Sequence, residues 1–163
     1  MSTTSFLYQY QAIRKRTLRL LEVAPPDQLD FSYKKGKFSI ADQIRHIAAI
    51  ERHMFAETLL GRKSIYRGCG PELGDDYQSI MEFFHRAHRE TCDIIADLSD
   101  GDLRETVLTP TAVAISRMKW LQLLAEHEIH HRAQIYIYLN MLGIKTPPMY
   151  GLTSEELIRF SKP

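Results

Sequence analysis

At 163 residues the chain is long enough for one domain around one core. Its 44% apolar and 25% charged residues exclude a disordered polymer. A net charge of +1 without any block of like charge gives nucleic acid no electrostatic footprint, and no run of about 18 apolar residues offers a membrane span. Two cysteines, Cys69 and Cys92, stand outside any C-x-x-C pair, which argues against a disulfide framework or a thiolate zinc knuckle. Met1 to Tyr10 shows no basic-then-apolar leader, so a cytoplasmic protein with reduced thiols is expected.

Phe6, Tyr10, Ile13, Thr17 and Leu20 recur at helical spacing and predict a first helix over Ser5 to Val23, stopped by Pro25-Pro26. The cluster Arg14-Lys15-Arg16 with Arg19 reads as the solvated face of that helix. Ser39, with Asp42 three positions on, reads as a capping box opening a second helix to about Leu60, where Gly61 supplies the stop. Arg62 to Gly74 reads as a loop. Asp75 or Asp76 caps a third helix to about Leu98, with the stripe Tyr77, Met81, Phe84, Thr91, Ile95 and Leu98. Ser99 to Pro110 reads as a loop and no strand alternates. Ser116 caps a fourth helix, Arg117 to Leu142, closed by Gly143, and Thr153 with Glu156 opens a short C-terminal helix to Phe160. The fold class expected is all-α: a four-helix bundle, one domain over 1–163, whose connectors of about 12 to 18 residues permit crossovers.

The most informative stretch is Glu126 to Leu142. His127 and His131 stand four residues apart, which places both imidazoles on one helix face. Trp120, Leu124, Ile135, Tyr138 and Leu142 share that face, so the imidazoles sit in an apolar stripe where an unpartnered ring is costly. One metal ion would satisfy both, since neutral imidazole ligates zinc, nickel, copper and iron. A helical H-x-x-x-H also arises by chance in a chain with seven histidines, so a third inward histidine is needed.

His46, mid-helix between Ile44 and Ile47, is the natural third ligand, with a hydrogen-bonded boundary histidine as its bland alternative. His88, on the third-helix stripe, is the rival. His53 lies about 10 Å along the helix from His46 and cannot share its ion. His85 and His130 fall off the relevant faces. A di-iron reading needs Glu-x-x-His on two helices plus two further glutamates. Glu82-x-x-His85 and Glu128-x-x-His131 supply the text, but Glu82 and Glu22 face solvent on the helical wheel. Three histidines on two helices leave a coordination position open, the mark of a catalytic rather than a structural site.

Phe38-Ser39-Ile40 followed by His46 and Glu51, and Trp120 followed by His127-Glu128-Ile129-His130-His131-Arg132-Ala133-Gln134-Ile135, together resemble the DinB/YfiT-like superfamily of bacterial four-helix metalloproteins. The departures, Phe38 for a frequent Trp and Ala133 for a frequent Gly, touch no ligand. The resemblance implies a triad of His46, His127 and His131 around one divalent ion, zinc or nickel ahead of iron or manganese. It also implies a homodimer and a small-molecule or low-molecular-weight-thiol substrate, while charge and hydropathy, as above, lead to no expectation of a nucleic-acid or membrane partner.

Two functions are then expected. One is a metal-dependent hydrolase or thiol S-transferase, in which the ion makes hydroxide available near neutral pH or holds a thiolate. The other is a non-catalytic, stress-associated dimer stapled by its ion. No general base is evident. Glu126 and Glu128 flank the first ligand but read as solvated surface. Asp42 and Gln43, one turn before His46, stand where they could orient its second nitrogen, though solvated surface is again the plainer reading. Tyr136, Tyr138 and Arg132 read as core or dimer contacts before pocket wall. Cys69 reads as an inert loop cysteine.

Overall fold

Four long helices carry the apolar stripes read from the sequence, and the computed structural model describes residues 1–161 of them and their connections. Helix α1 spans Thr3–Leu21, opened by the Ser2 hydroxyl, which accepts from the Ser5 amide. Helix α2 runs over Ile40–Ile50, passes through a π-helical stretch, Glu51–Ala56, and ends in an α turn, Glu57–Leu59. The Ser39/Asp42 capping box forms as expected. Gly61, at φ +72°, closes the helix where other residues would be strained. Helix α3 spans Tyr77–Ala96 behind the Asp76 cap, α4 spans Arg117–Met141 behind Ser116, and α5 spans Ser154–Phe160 behind a Thr153/Glu156 capping box.

The order around the bundle differs from a simple up-and-down arrangement. Helix α1 packs against α3 and α4, and α2 packs against the same two, so α1 and α2 face each other across the diagonal. The α1–α2 and α3–α4 connections therefore cross the bundle, which their length permits. Buried Leu20, Ile40, Ile44, Phe84, Ile135 and Leu139 fill one half of the core, and Phe6, Tyr10, Phe55, Trp120 and Leu121 fill the other. Full burial of each such side chain contributes roughly 1.5–3 kcal/mol.

Three expectations need correction. The α3–α4 connection is not wholly irregular: β1 (Thr106–Leu108) and β2 (Ala114–Ser116) form an antiparallel hairpin, with Val107 opposite Ile115. Three-residue strands are too short to show a period-2 pattern. The basic cluster of α1 is not uniformly solvated: Arg14 is only 3% exposed. Glu128 is not at the surface either, at 1% exposed.

Those last two residues belong to a buried polar centre to which all four long helices contribute. The Arg14 guanidinium pairs with Glu51 and, at 3.0 Å, with Glu128. Thr17 donates to Glu128 at 2.6 Å, and His88 Nδ1 meets Glu51 at 2.8 Å. Glu51 stands two turns after buried Ile44 and so shares its inward face, at the point where α2 changes from α to π winding. Burial raises the Glu51 carboxyl, but Arg14 and His88 outweigh it and hold that carboxyl below its usual range. For Glu128, burial and the neighbouring Glu51 prevail over Arg14 and push its carboxyl up.

The long arm after α2 bears on the site. Buried Arg45 donates to the carbonyl of Cys69 at 2.8 Å and of Gly74 at 2.7 Å, and to Asp42 at 2.7 Å. These bonds tie residues 69 to 74 against α2, on the arm that carries Tyr66 to His46.

Candidate metal centre

His46 comes from α2, and His127 and His131 from α4. Helix packing brings one ring nitrogen from each to within 4.8 Å of the others. His46 Nε2 and His127 Nε2 are 3.3 Å apart, and the ring of His131 lies 4.6 Å from that of His46 and 4.5 Å from that of His127. His131 is 8% exposed and the other two are half-buried. The other histidines lie elsewhere: His88 is engaged with Glu51, His53 packs on Phe83, and His85 and His130 are exposed.

The second nitrogens decide which atoms face inward. His131 Nδ1 meets the side-chain oxygen of Gln43, which can only accept, so Nδ1 carries the proton and Nε2 keeps a lone pair. His46 Nδ1 lies 2.9 Å from the hydroxyl of Tyr66, which leaves its Nε2 for the cluster. His127 Nδ1 is buried without a partner, while its Nε2 points at His46. Gln43 thus serves His131 rather than His46. Asp42 serves neither, because it caps α2 and pairs with Arg45. Tyr66 gave no sequence signal, since it sits in an irregular arm without periodicity.

The donor set suits a borderline transition metal. Two nitrogens bound at about 2.0–2.1 Å to one tetrahedral centre stand about 3.3–3.4 Å apart, against the 3.3 Å between His46 and His127. Three imidazoles without a carboxylate favour zinc, nickel, copper or iron over calcium and magnesium. Burial, reinforced by the neighbouring imidazoles, lowers His127 to about 3 and His131 to about 4, and burial also lowers His46. All three are therefore neutral at pH 7, and a cation can bind without displacing protons.

That depression sets a pH dependence for the metal-free protein. An unfolded histidine takes up a proton near pH 6.5, whereas folded His127 and His131 resist protonation until about 3 and 4. Between those limits the unfolded chain binds more protons, so stability is complete above about pH 6.5 and falls as the pH drops toward 4. Chelated protein is expected to melt at a lower temperature at pH 5 than at pH 7, by scanning calorimetry. His127→Gln/His131→Gln is expected to flatten that slope; an unchanged slope would assign it to other groups.

A cleft of about 680 Å³ opens beside the cluster, with His131 and Gln43 in its wall. Tyr33, Lys37, Phe38, Gln134, Ile137, Tyr138 and Met141 complete most of it. Its volume is that of a small-molecule site. Of the aromatic and basic residues considered from sequence, Tyr138 lines this cleft, whereas Arg132 is buried and donates to the Ile13 carbonyl at 3.2 Å. Among the described residues no helix is long and apolar enough to cross a membrane.

Comparison with known proteins agrees with this architecture. The protein YjoA of Bacillus subtilis is 26% identical over 140 residues, covering 84% of this chain and 88% of YjoA. The crystal structure of a DinB-like protein from Bacillus cereus superposes with a TM-score of 0.79 at 16% identity, over 90% of this chain and 97% of that one. YfiT from Bacillus subtilis, described as a probable metal-dependent hydrolase with an unusual four-helix bundle topology, superposes with a TM-score of 0.68 at 19% identity, over 88% of this chain and 89% of YfiT. The sequence profile of the DinB superfamily matches residues 9–135, from the second turn of α1 through His127 and His131 of α4, and the chain belongs to that superfamily.

Proposed function

We propose that this chain is a divalent-metal-dependent enzyme, a hydrolase or a thiol S-transferase acting on a small molecule, with His46, His127 and His131 as ligands and zinc or nickel as the ion. One observation carries the reading: three neutral imidazole nitrogens converge beside a cleft of ligand size instead of inside a closed core. A structural ion would be enclosed by four protein ligands, whereas three ligands next to a cleft leave a position for substrate. The description of YfiT as a probable metal-dependent hydrolase points the same way.

A divalent ion at this site supplies Lewis acidity, which lowers the pKa of water or of a thiol toward neutrality. The chain's own part is orientation. The Gln43 side-chain oxygen holds the Nδ1 proton of His131, the Tyr66 hydroxyl stands 2.9 Å from Nδ1 of His46, and Phe38 and Tyr138 give the cleft an aromatic wall. Among the described residues no carboxylate lines the cleft.

Elemental analysis of untagged protein tests the reading. Wild type is expected to hold one equivalent of a divalent ion that His131→Ala loses, and the loaded wild type is then screened against ester, amide and thiol-transfer substrates. Metal retained by His131→Ala would reject the triad. The exposed side chains Tyr33, Ile137 and Met141 at the cleft mouth favour a second reading, a metal-stapled dimer without turnover. Stoichiometric metal, a dimer by light scattering and no activity in any screen would select it.

A further inference from the structure

We infer that the substrate of this site is an organic anion with an apolar body, its acid group paired with Lys37 and its body laid along α4; this rests on the metal-dependent reading above. The cleft wall is unequal in kind. Among the described residues that line it, Lys37 is the one basic side chain besides the neutral His131 and no side chain is acidic, and Lys37 stands in the run Tyr33-Lys34-Lys35-Gly36-Lys37, which has three lysines and no acid. An anion entering the cleft therefore meets cationic charge at the loop and no carboxylate in the wall. A cation meets only repulsion.

The remaining wall is apolar and open to solvent. Phe38 is 39%, Ile137 55% and Met141 56% exposed, which is unusual for side chains of that size grouped at one concavity. From His131 to Met141 the wall follows α4 for about 15 Å, at ~1.5 Å per residue. A medium alkyl chain fits that length and a fused bicyclic arene covers part of it, and covering those side chains supplies the driving force. Gln43 and Gln134 add amide groups but no charge, so discrimination between acid and neutral analogues falls to Lys37.

Isothermal titration of the full chain tests this, with 2-naphthoate and its neutral analogue 2-naphthylmethanol as probes and metal content measured in every sample. Metal-loaded wild type is expected to bind the acid about tenfold more tightly than the alcohol. Lys37→Glu, a change at an exposed loop position, is expected to erase that preference and leave the alcohol unaffected. Ile137→Glu is expected to weaken both probes.

Equal binding of the two probes by metal-loaded wild type would overturn the inference. So would an acid preference that survives Lys37→Glu and vanishes only when the metal is removed, because the acid group would then sit on the ion. Failure of both probes to bind metal-loaded protein would also overturn it, and would leave the exposed wall to a second copy of the chain. Absence of metal from wild type is a separate result. It rejects the proposed function, while the Lys37 comparison on the same protein still reads the charge preference of the cleft.

Discussion

Arg14→Met is expected to lower the melting temperature by about 6–20 °C. Arg14 is 3% exposed and stands between Glu51, 0% exposed, and Glu128, 1% exposed. Methionine fills much of the same space and keeps contact with Phe84, over whose ring the guanidinium sits at 3.9 Å. The cation is lost, and two buried carboxyl groups are left facing each other. Breaking a buried pair in this way costs about 3–5 kcal/mol, and for a chain of this length each kcal/mol is worth about 2–4 °C.

The penalty should depend on pH with a definite sign. Without Arg14, burial and Glu51 push the Glu128 carboxyl further up, and Glu51 loses the larger of the two groups that hold its carboxyl down, with His88 remaining, so the folded state takes up protons more readily than wild type does. The variant's deficit is then largest at pH 8 and shrinks toward pH 5. Arg14→Met/Glu51→Gln/Glu128→Gln removes all three charges and is expected to recover much of the loss, because neutral groups of similar shape avoid the desolvation cost. A single variant as stable as wild type at pH 8 would show that the pair stabilises nothing. Calorimetry across that pH range reads both effects.

This polar centre also shows where sequence reasoning stops. Helix number, caps and the H-x-x-x-H face depend on local spacing, and those were legible: Ser39, Asp76, Ser116 and Thr153 all cap as their positions suggested. The convergence of His46 with His127 and His131 was expected from the family resemblance and from the apolar setting of His46. The rival His88 could not be excluded by spacing alone, because it lies on a buried stripe; only the packed bundle shows it turned to Glu51. Arg14 and Glu128 were misread for a related reason. A charged residue is ordinarily assigned to solvent, and its partners here lie 37 and 114 positions away along the chain, beyond any local pattern. The π winding at Glu51–Ala56 adds to the difficulty, since a wheel drawn at 3.6 residues per turn misplaces every side chain beyond it.

Gln43→Leu is expected to weaken metal binding about 10–100-fold, in the range seen when the outer partner of a metal-bound histidine is lost. The Gln43 side-chain oxygen accepts from His131 Nδ1, in a buried position where water cannot easily replace it. Leucine would leave that N–H unsatisfied and the ring free to adopt the other tautomer, whose Nε2 carries a proton and cannot ligate. Tyr66→Phe removes the equivalent partner of His46, but that ring is half-buried and solvent can supply a substitute, so its effect belongs at the lower end of the range. Gln43→Glu separates orientation from simple packing: a carboxylate accepts the same hydrogen bond and makes the imidazole a stronger donor, so affinity should hold or rise. Competition against a chelator of known affinity reads all three variants. If Gln43→Leu binds as tightly as wild type, His131 is not held through its Nδ1 and the inward assignment of its Nε2 fails. If Gln43→Glu weakens binding as much as Gln43→Leu, the side chain matters for its fit against α4 and not for the proton it holds in place.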